Sequence, residues 1–528
     1  RRISYGLGLL EMMFNFGRIS CCIMKRISII SILCLAVLSM AARPKYITYE
    51  KFGAKGDGVT DDMPAIVAAH AAANEKGLPV RAKDGRTYFI GNASLKAEIR
   101  TDTDFGTASF IIDDVGVEEV RTPIFLVAPD KKDFKVKGVQ SLMRGQDNLG
   151  VELPCRCLVE VMDKNHKVFI RKGLNRNNGT DQRDILIVNE DGSIDPSTPV
   201  VFDFANISSV RAYPVNEKPI TIKGGTFTTI ANQDTTKRIY YHRGIQIRRS
   251  GTTIEGVTHL VTGEGDQGAP YSGFICVDHA ADVVISDCVF TGHKTYITYK
   301  FGKPVSKGTY DTNANSSVNI FWKNCRQTND IDNPVYWGVF TSNFCKVLKL
   351  ENCSFSRFDA HQSVTNVSLK NCSFGHQNVR MVGFGTILME DCEIHGNDLM
   401  ALRQDYGSTW DGDIIVRRCT LKPYADDKNV YILSGSNDGS HDFGYPCQLP
   451  SSITVEGLVI EDEGVVSKEY RYPTVLSAFG RTTGIEEPFP YSTDCKVVLK
   501  DVTVKSGKPL KDAPNPEAFK GLTVQRID

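Results

Sequence analysis

One short phrase recurs through the second half of the chain, and it leaves little choice of fold. It reads apolar, any, apolar, any, Asn or Asp, Cys, any, apolar. It appears as Val284-Ile285-Ser286-Asp287-Cys288-Val289-Phe290 and as Leu350-Glu351-Asn352-Cys353-Ser354-Phe355. It returns as Leu369-Lys370-Asn371-Cys372-Ser373-Phe374 and Met389-Glu390-Asp391-Cys392-Glu393-Ile394, with looser copies at Asn324-Cys325 and Arg418-Cys419. Cys353, Cys372 and Cys392 are separated by 19 and then 20 residues. In other copies the cysteine is replaced, as in Ile222-Lys223-Gly224-Gly225-Thr226-Phe227, Ile254-Glu255-Gly256-Val257, Val455-Glu456-Gly457-Leu458 and Leu499-Lys500-Asp501-Val502. A period near twenty, with alternating apolar residues and a polar turn, is the pattern of a β-solenoid. The fold expected is therefore all-β: a right-handed parallel β-helix whose coils stack about 4.8 Å apart.

Cysteine usage supports this. The chain has fifteen, and in an exported protein the usual expectation is a disulfide framework. Six of them, however, occupy one place in the phrase. Stacked on successive coils, their Cβ vectors run parallel, which disfavours disulfide geometry. They are expected reduced and packed as small apolar side chains. A metal site is the alternative, but one Cys per coil without a close His does not supply a ligand set. A second strand per coil is read upstream, in Gly244–Arg248, Gly273–Asp278, Gly338–Ser342, Phe358–Gln362, Val379–Gly383 and Ala401–Asp405.

The start of the chain is read separately. Met24-Lys25-Arg26 precedes an apolar run from Ile27 to Ser39, followed by small residues near Ala42. That is a secretory signal peptide, too short to span a membrane. Residues 1–23 read as upstream read-through. Ser31-Ile32-Leu33 before Cys34 lacks the small residue that lipoprotein processing prefers. Soluble export, to the periplasm or outside the cell, is expected. Lys+Arg and Asp+Glu both number 62, so no charge excess points to nucleic acid. The expected organisation is a cap and first coil at 43–91, a β-rich insertion at 92–217, the β-helix at 218–507 and a tail at 508–528.

The cap carries a motif. Phe52-Gly53-Ala54-Lys55-Gly56-Asp57-Gly58-Val59-Thr60-Asp61-Asp62 is a Gly- and Asp-rich loop leading into an Ala-rich helix from Met63 to Lys76, with Pro64 near its start and Gly77 after its end. Asp61 or Asp62 can cap that helix. The helix covers strand edges at the open end of the solenoid. This phrase and helix resemble the amino-terminal signature of the pectate-lyase-like superfamily, whose members include polysaccharide lyases, glycoside hydrolases and phage tailspikes. Residues 45–91 resemble it closely, residues 218–507 by repeat pattern only. With a signal peptide, the chain also looks like exported glycan-degrading enzymes of Bacteroidetes. The Asn-Thr-Asp, Asp-pair, Gly-His-Gly and Arg-Ile-Lys phrases of polygalacturonases in this superfamily are not intact here, which counts against that activity.

Function on a solenoid sits on outward residues and widened loops. Four loops mix aromatics with Asp and Gly: Gly292–Ser317, Asn329–Trp337, Asp405–Asp413 and Ser434–Pro450. The fourth carries Asp438, His441, Asp442 and Tyr445. Flat rings plus hydrogen-bond partners suit a sugar groove, and Trp337 and Trp410 are read as stacking residues. An outward column of Arg248, Asp278, His279, Asn343, Asp359, His361, Arg380, Arg403 and Asp405 is expected along the upstream strands, with Lys294 emerging from a neighbouring coil. Cleavage of a uronic acid polymer by β-elimination needs a base, a cation to neutralise the carboxylate and an acid for the leaving oxygen. His361 as base, oriented by Asp359, Arg403 or Arg380 as carboxylate clamp, and Tyr406 as acid fill those roles. Arg248, Asp278, His279, Lys294, Trp337, Arg380, Trp410 and Asp411 are the expected substrate contacts. Two other readings stand beside this one. Hydrolysis would use a carboxylate pair drawn from Asp359, Asp405, Asp411 and Asp413. A non-catalytic glycan-binding protein or adhesin needs only the aromatic loops. No cofactor is expected. A calcium-assisted lyase would draw on Asp278, Asp405 and Asp411, which lack ligand spacing. The expected partner is a polysaccharide, pectic or glycosaminoglycan in type.

Overall fold

The computed structural model of the chain describes residues 46–527, apart from 172–175, 216, 235–238, 267, 301–302, 339, 438–441 and 480–490. The export segment Met24–Ala42 lies outside the described residues, as do Asp438 and His441 of the fourth loop. Thirty-two strands among the described residues form one parallel sheet in which each strand pairs with its counterpart in the next coil. This is the parallel β-helix that the repeat implies. No helix among the described residues is long and apolar enough to cross a membrane.

The register explains the phrase. Ser286 pairs with Lys323, Lys323 with Glu351, Glu351 with Lys370, Lys370 with Glu390 and Glu390 with Arg417. Two residues further on in each coil come Cys288, Cys325, Cys353, Cys372, Cys392 and Cys419, all buried and all free thiols. Between strand and cysteine sits a residue in the left-handed region: Asp287, Asn324, Asn352, Asn371, Asp391 and Arg418 have φ between 49° and 55°. Asn and Asp tolerate that conformation better than other residues with a Cβ. They also stack. The Asn324 amide donates to Asp287 (3.0 Å), Asn352 to Asn324 (2.9 Å) and Asn371 to Asn352 (2.7 Å). Where the side-chain ladder stops, Gly256 and Gly457 supply the turn. Replacing Asn352 separates the two contributions. Asn352→Gly loses only ladder bonds, whereas Asn352→Ala also carries the left-handed cost of about 1–2 kcal/mol. The Ala variant should therefore have the lower urea midpoint of the two.

At the amino end the two acids of the motif do different work. Asp61 accepts the Met63 amide at 3.1 Å, at the start of the helix Met63–Lys76. Asp62 turns back and accepts the Lys55 and Gly56 amides (2.6 and 3.0 Å), pinning the glycine loop. The helix lays Ile66, Ala69, His70 and Ala73 on the solenoid core.

The expected insertion, 92–217, divides in the structure, and that boundary is corrected. Ala97–Ile99, Thr103–Asp113 and Phe125–Val127 belong to the solenoid, pairing in parallel with its strands. Thr103–Asp113 points Phe105, Ala108, Phe110 and Ile112 inward but turns at Gly106 (φ 52°) without the Asn-Cys phrase, so the repeat does not mark it. Only Phe134–Lys135, Cys157–Val168, Thr180–Val188 and Ser209–Pro214 form a separate, antiparallel sheet. One face of it, with Leu158, Val168, Phe169, Ile185 and Ile187, packs on Ala281, Val318, Phe344, Val382 and Tyr406 of the solenoid. A buried ion pair, Lys346 to Asp184 at 2.6 Å, joins the two.

The outward column also needs correction. Asp359 pairs with Arg380 and Arg380 with Ala401, while Asp278, Asn315 and Asn343 form a line two positions further along, which Arg248 extends just past Ile247. The register shifts between Ser342 and Asn343, so that Asn343 meets Gln362. Asp359 lies in line with Thr341, Asn313 and Cys276, two residues before Asn343, Asn315 and Asp278, so the expected single column is two neighbouring ones.

Candidate functional site

A groove of about 500 Å³ lies over the first strands of the later coils. Its floor is Arg380, Ala401, Ser434 and Ser477, one residue per coil in matching register. Trp337, Arg357, Gln377, Asp398, Arg403, Asp405 and Tyr431 line its sides.

Arg403 is held from two sides. Its Nη1 donates to Asp359 (2.5 Å), while Nε and Nη2 donate to the two oxygens of Asp405 (3.1 and 2.8 Å). Asp359 in turn accepts from Arg357 (2.8 Å) and the Tyr310 hydroxyl (3.2 Å). Arg171, from the insertion, donates to Asp405 at 3.1 Å. Burial alone would raise the Asp359 carboxyl, but Arg357 and Arg403 outweigh it and hold the group well below the usual range. Asp405 is likewise lowered, burial opposing and Arg403 prevailing. Both are carboxylates at any ordinary pH.

Asp398 behaves in the opposite way. It is 5% exposed. It accepts from Ser434 Oγ (2.7 Å) and from the Asn378 amide. Burial raises its pKa, with Arg380 opposing. The groove thus holds one carboxyl that keeps its proton beyond the usual range and one that gives it up early. Arg380 donates to the Gln377 carbonyl at 3.2 Å. Burial, then the nearby Arg357 charge, lower its pKa.

The five expected catalytic residues come together, but not as expected. Tyr406 is fully buried, with its ring under the Arg171 guanidinium (4.9 Å) and against Phe169. Its hydroxyl donates to His361 Nε2 at 3.1 Å, and burial pushes its pKa up to about 12. His361 Nδ1 lies 3.1 Å from Asn343 Oδ1. The Asn343 amide nitrogen donates to Asn315, which leaves that oxygen as the acceptor and places the imidazole proton on Nδ1. Burial, aided by Arg403, lowers the His361 pKa to about 4. His361 is therefore neutral at neutral pH, with both ring nitrogens engaged, and it does not line the groove.

Among the expected substrate contacts, Trp337 and Arg380 line the groove, the Trp337 ring lying over Arg357 at 4.9 Å. Trp410 does not: it is fully buried, and its Nε1 donates to the Gly385 carbonyl at 2.9 Å. Asp411 accepts from Arg144 of the insertion. Arg248 and His279 line a separate cleft of about 550 Å³ with Arg100, Lys131 and Arg211. There Asp278 joins Arg248 (3.3 Å) to His279 (2.9 Å), and Glu160 lies 3.4 Å from His279. Burial opposes the charge on His279, but hydrogen bonds to Asp278 and Glu160 raise its pKa to about 9. Lys294 pairs with Asp266 at 3.7 Å. Asp278, Asp405 and Asp411 stand in three different networks. Among the described residues no group of three or more His, Cys, Asp or Glu side chains is arranged to hold a metal ion.

Asp398, Arg357 and Arg171 are not singled out by the sequence. Arg357 directly precedes Phe358-Asp359, which is the one local signal. Asp398 follows Gly396-Asn397 and reads as part of a turn. Arg171 lies 234 positions from Asp405, in the insertion just past the strand Cys157–Val168.

No protein-family model matches the sequence, and no curated protein matches it. Solved structures do. The tailspike protein gp49 from Pseudomonas phage LKA1 is similar with a TM-score of 0.55 at 14% identity, covering 90% of this chain and 84% of that one. The tailspike gp61 of Pseudomonas phage phi297 is similar with a TM-score of 0.52 at 13% identity, covering 91% and 84%. At these identities the likeness is one of fold.

Proposed function

We propose that the chain cleaves an acidic polysaccharide in the Arg380–Asp405 groove, by hydrolysis. The observation that carries this reading is the contrast between Asp398 and Asp405. Glycoside hydrolysis uses a protonated carboxyl to give its proton to the leaving oxygen and an ionised carboxylate opposite it. Two acids whose surroundings push their pKa values apart are the mark of that division of labour. Asp398 gives its proton to the bridging oxygen as the C1–O bond breaks. The oxygen of a water molecule ends on C1, its proton passing to a carboxylate. Asp405, ionised and reaching the groove, is that partner. Arg403, fully engaged with Asp359 and Asp405, orients it and is not free to clamp a substrate carboxylate. Arg380 forms no salt bridge among the described residues, and its planar fork suits a uronate. Trp337 and Tyr431 offer ring faces for sugar stacking.

The β-elimination expected from the sequence is the second reading. It is favoured by one observation: His361 is neutral and joined to Tyr406 beside Arg403. A panel of uronic acid polymers, read for reducing ends and ultraviolet absorbance, separates the two. Reducing ends without absorbance support hydrolysis, and both rising together support elimination. His361→Ala sharpens the test. Elimination with His361 as base predicts a loss of 10²–10⁴-fold. Hydrolysis predicts a loss below about tenfold, since His361 does not reach the groove.

The pH profile carries the same assignment. Activity requires Asp398 protonated and Asp405 ionised. The acid limb should fall below the ordinary aspartate range, and the alkaline limb above it. Arg380 opposes the rise of the Asp398 pKa, so Arg380→Ala should move the alkaline limb of kcat to higher pH. An unmoved limb would assign it to another group. Export of the protein is proposed with this function, and amino-terminal sequencing of native material tests cleavage near Ala42.

A further inference from the structure

The outward positions of the first strands run the length of the solenoid, but the groove does not. In matching register they read Gln246, Cys276, Asn313, Thr341, Asp359, Arg380, Ala401, Ser434 and Ser477. From Arg380 onward these residues floor the groove. Before it, Cys276, Asn313, Thr341 and Asp359 are buried and do not line the groove, and only Gln246 at the far end is half-buried. The change comes within one coil step, about 4.8 Å.

Three chain segments make the cover. Gly273 lies against Cys276 and Asn313, where an added Cβ would come within 2.9 Å of the Cys276 sulfur. Asn313 donates to the Ser272 carbonyl and so ties that segment down. Gly308 packs against Trp337 and Tyr310; an added Cβ there would lie 2.5 Å from Trp337 Nε1 and 2.8 Å from the Tyr310 hydroxyl. Tyr310 then reaches Asp359 at 3.2 Å. Trp337, lying over Arg357, forms the last wall before the groove begins. The absence of side chains at Gly273 and Gly308 lets the backbone close down on this face. The stop is packed and hydrogen-bonded.

We infer that the groove takes a polymer by its end. A chain lying over Arg380, Ala401, Ser434 and Ser477 meets Trp337, Arg357 and Tyr310 and cannot continue along the solenoid. Asp398 and Asp405 stand at this closed end, beside Arg403 and Arg380. The bond presented to them is therefore close to a chain terminus, and each turnover releases a short piece of fixed length. Trp337 is the specificity-determining residue, because its ring sets where the terminal sugar stops. This inference rests on the reading of the groove as a site of glycan cleavage, and adds to it that cleavage is terminal.

The test uses the full protein and a polymer it cleaves, followed from the first few per cent of reaction by product sizing and viscosity. Oligosaccharides of the same polymer, labelled at one end or the other, are run in parallel. Terminal attack predicts one short product size from the start, label released early from only one end, and viscosity falling no faster than bonds are cut. An early ladder of intermediate sizes with a steep fall in viscosity shows internal cleavage; it overturns this inference and leaves the hydrolytic function standing. Failure to cleave any acidic polymer overturns that function, and this inference with it. Trp337→Ala, checked for an unchanged melting transition, should spread the product sizes. An unchanged single product from a folded Trp337→Ala overturns the role given to its ring. Should that variant not fold, the product pattern of the wild type decides the matter alone.

Discussion

Asp398→Asn should reduce kcat by roughly 10²–10⁴-fold, the contribution typical of a positioned proton donor, with KM little changed. The amide keeps the shape of the carboxyl but has no acidic proton to give. The fold should not suffer. Asp398 is buried, accepts from Ser434 and Asn378, and has a raised pKa. Its charged form is thus less favourable in the folded protein than in water. By linkage, a raised acid pKa means that ionisation at high pH weakens the fold. An uncharged Asn removes that penalty, so the variant should melt at the same temperature or slightly higher, more clearly so at alkaline pH. Steady-state kinetics together with thermal denaturation checks both halves. A variant that loses activity only because it unfolds would place Asp398 among the structural residues.

Asp359→Ala should act on stability instead. Asp359 is fully buried and is paired with both Arg357 and Arg403. Removing one partner of a buried ion pair leaves uncompensated charge and typically costs about 3–5 kcal/mol. Here two guanidinium groups lose the same partner. The pH dependence has a definite sign. The folded pKa of Asp359 lies below its unfolded value, near 3.9 for an ordinary Asp. Its stabilisation is therefore present above that unfolded value and is lost as pH falls through the folded one. The wild type and Asp359→Ala should differ most in denaturant midpoint near neutral pH and converge in strong acid. A difference that persisted unchanged into strong acid would mean that the effect comes from packing and not from the charges. Activity should fall as well, because Arg403 then has only Asp405 to hold it.

The solenoid was legible because each coil must solve the same local problem. The chain reverses through a left-handed residue, which favours Asn, Asp or Gly, and then buries one small side chain. Asn352-Cys353 and Asn371-Cys372 repeat that solution in the open. Thr103–Asp113 solves it with Gly106 and no cysteine, and was hidden among the residues of the insertion for that reason. The cap motif was legible too, although only the structure divides the labour between Asp61 and Asp62.

The site was legible in composition and not in arrangement. Asp359, His361, Arg403, Asp405 and Tyr406 do meet, but which of them faces the groove depends on a register shift near Ala360 that no local pattern announces. Trp337 and Trp410 look alike in sequence. One lines the groove and the other fills the core, because Trp410 opens the paired strand Trp410–Arg417 and its indole reaches the Gly385 carbonyl of the preceding coil. A carboxyl such as Asp398 acquires its chemistry from burial by residues of other coils, Asn378 and Ser434, so nothing in its own neighbourhood marks it. Arg171 shows the same limit across a longer span, since it reaches Asp405 only after the inserted sheet has docked.

In the proposed hydrolysis Asp398 protonates the leaving oxygen and water completes the cleavage. The mass of the newly formed non-reducing ends tests it most directly, measured on the products of an acidic polysaccharide digested by the wild type and by Asp398→Asn. Hydrolysis predicts saturated ends carrying the full elements of water, without ultraviolet absorbance, and no comparable product from Asp398→Asn over the same time. Ends lighter by one water, or an Asp398→Asn variant as active as the wild type, would contradict it.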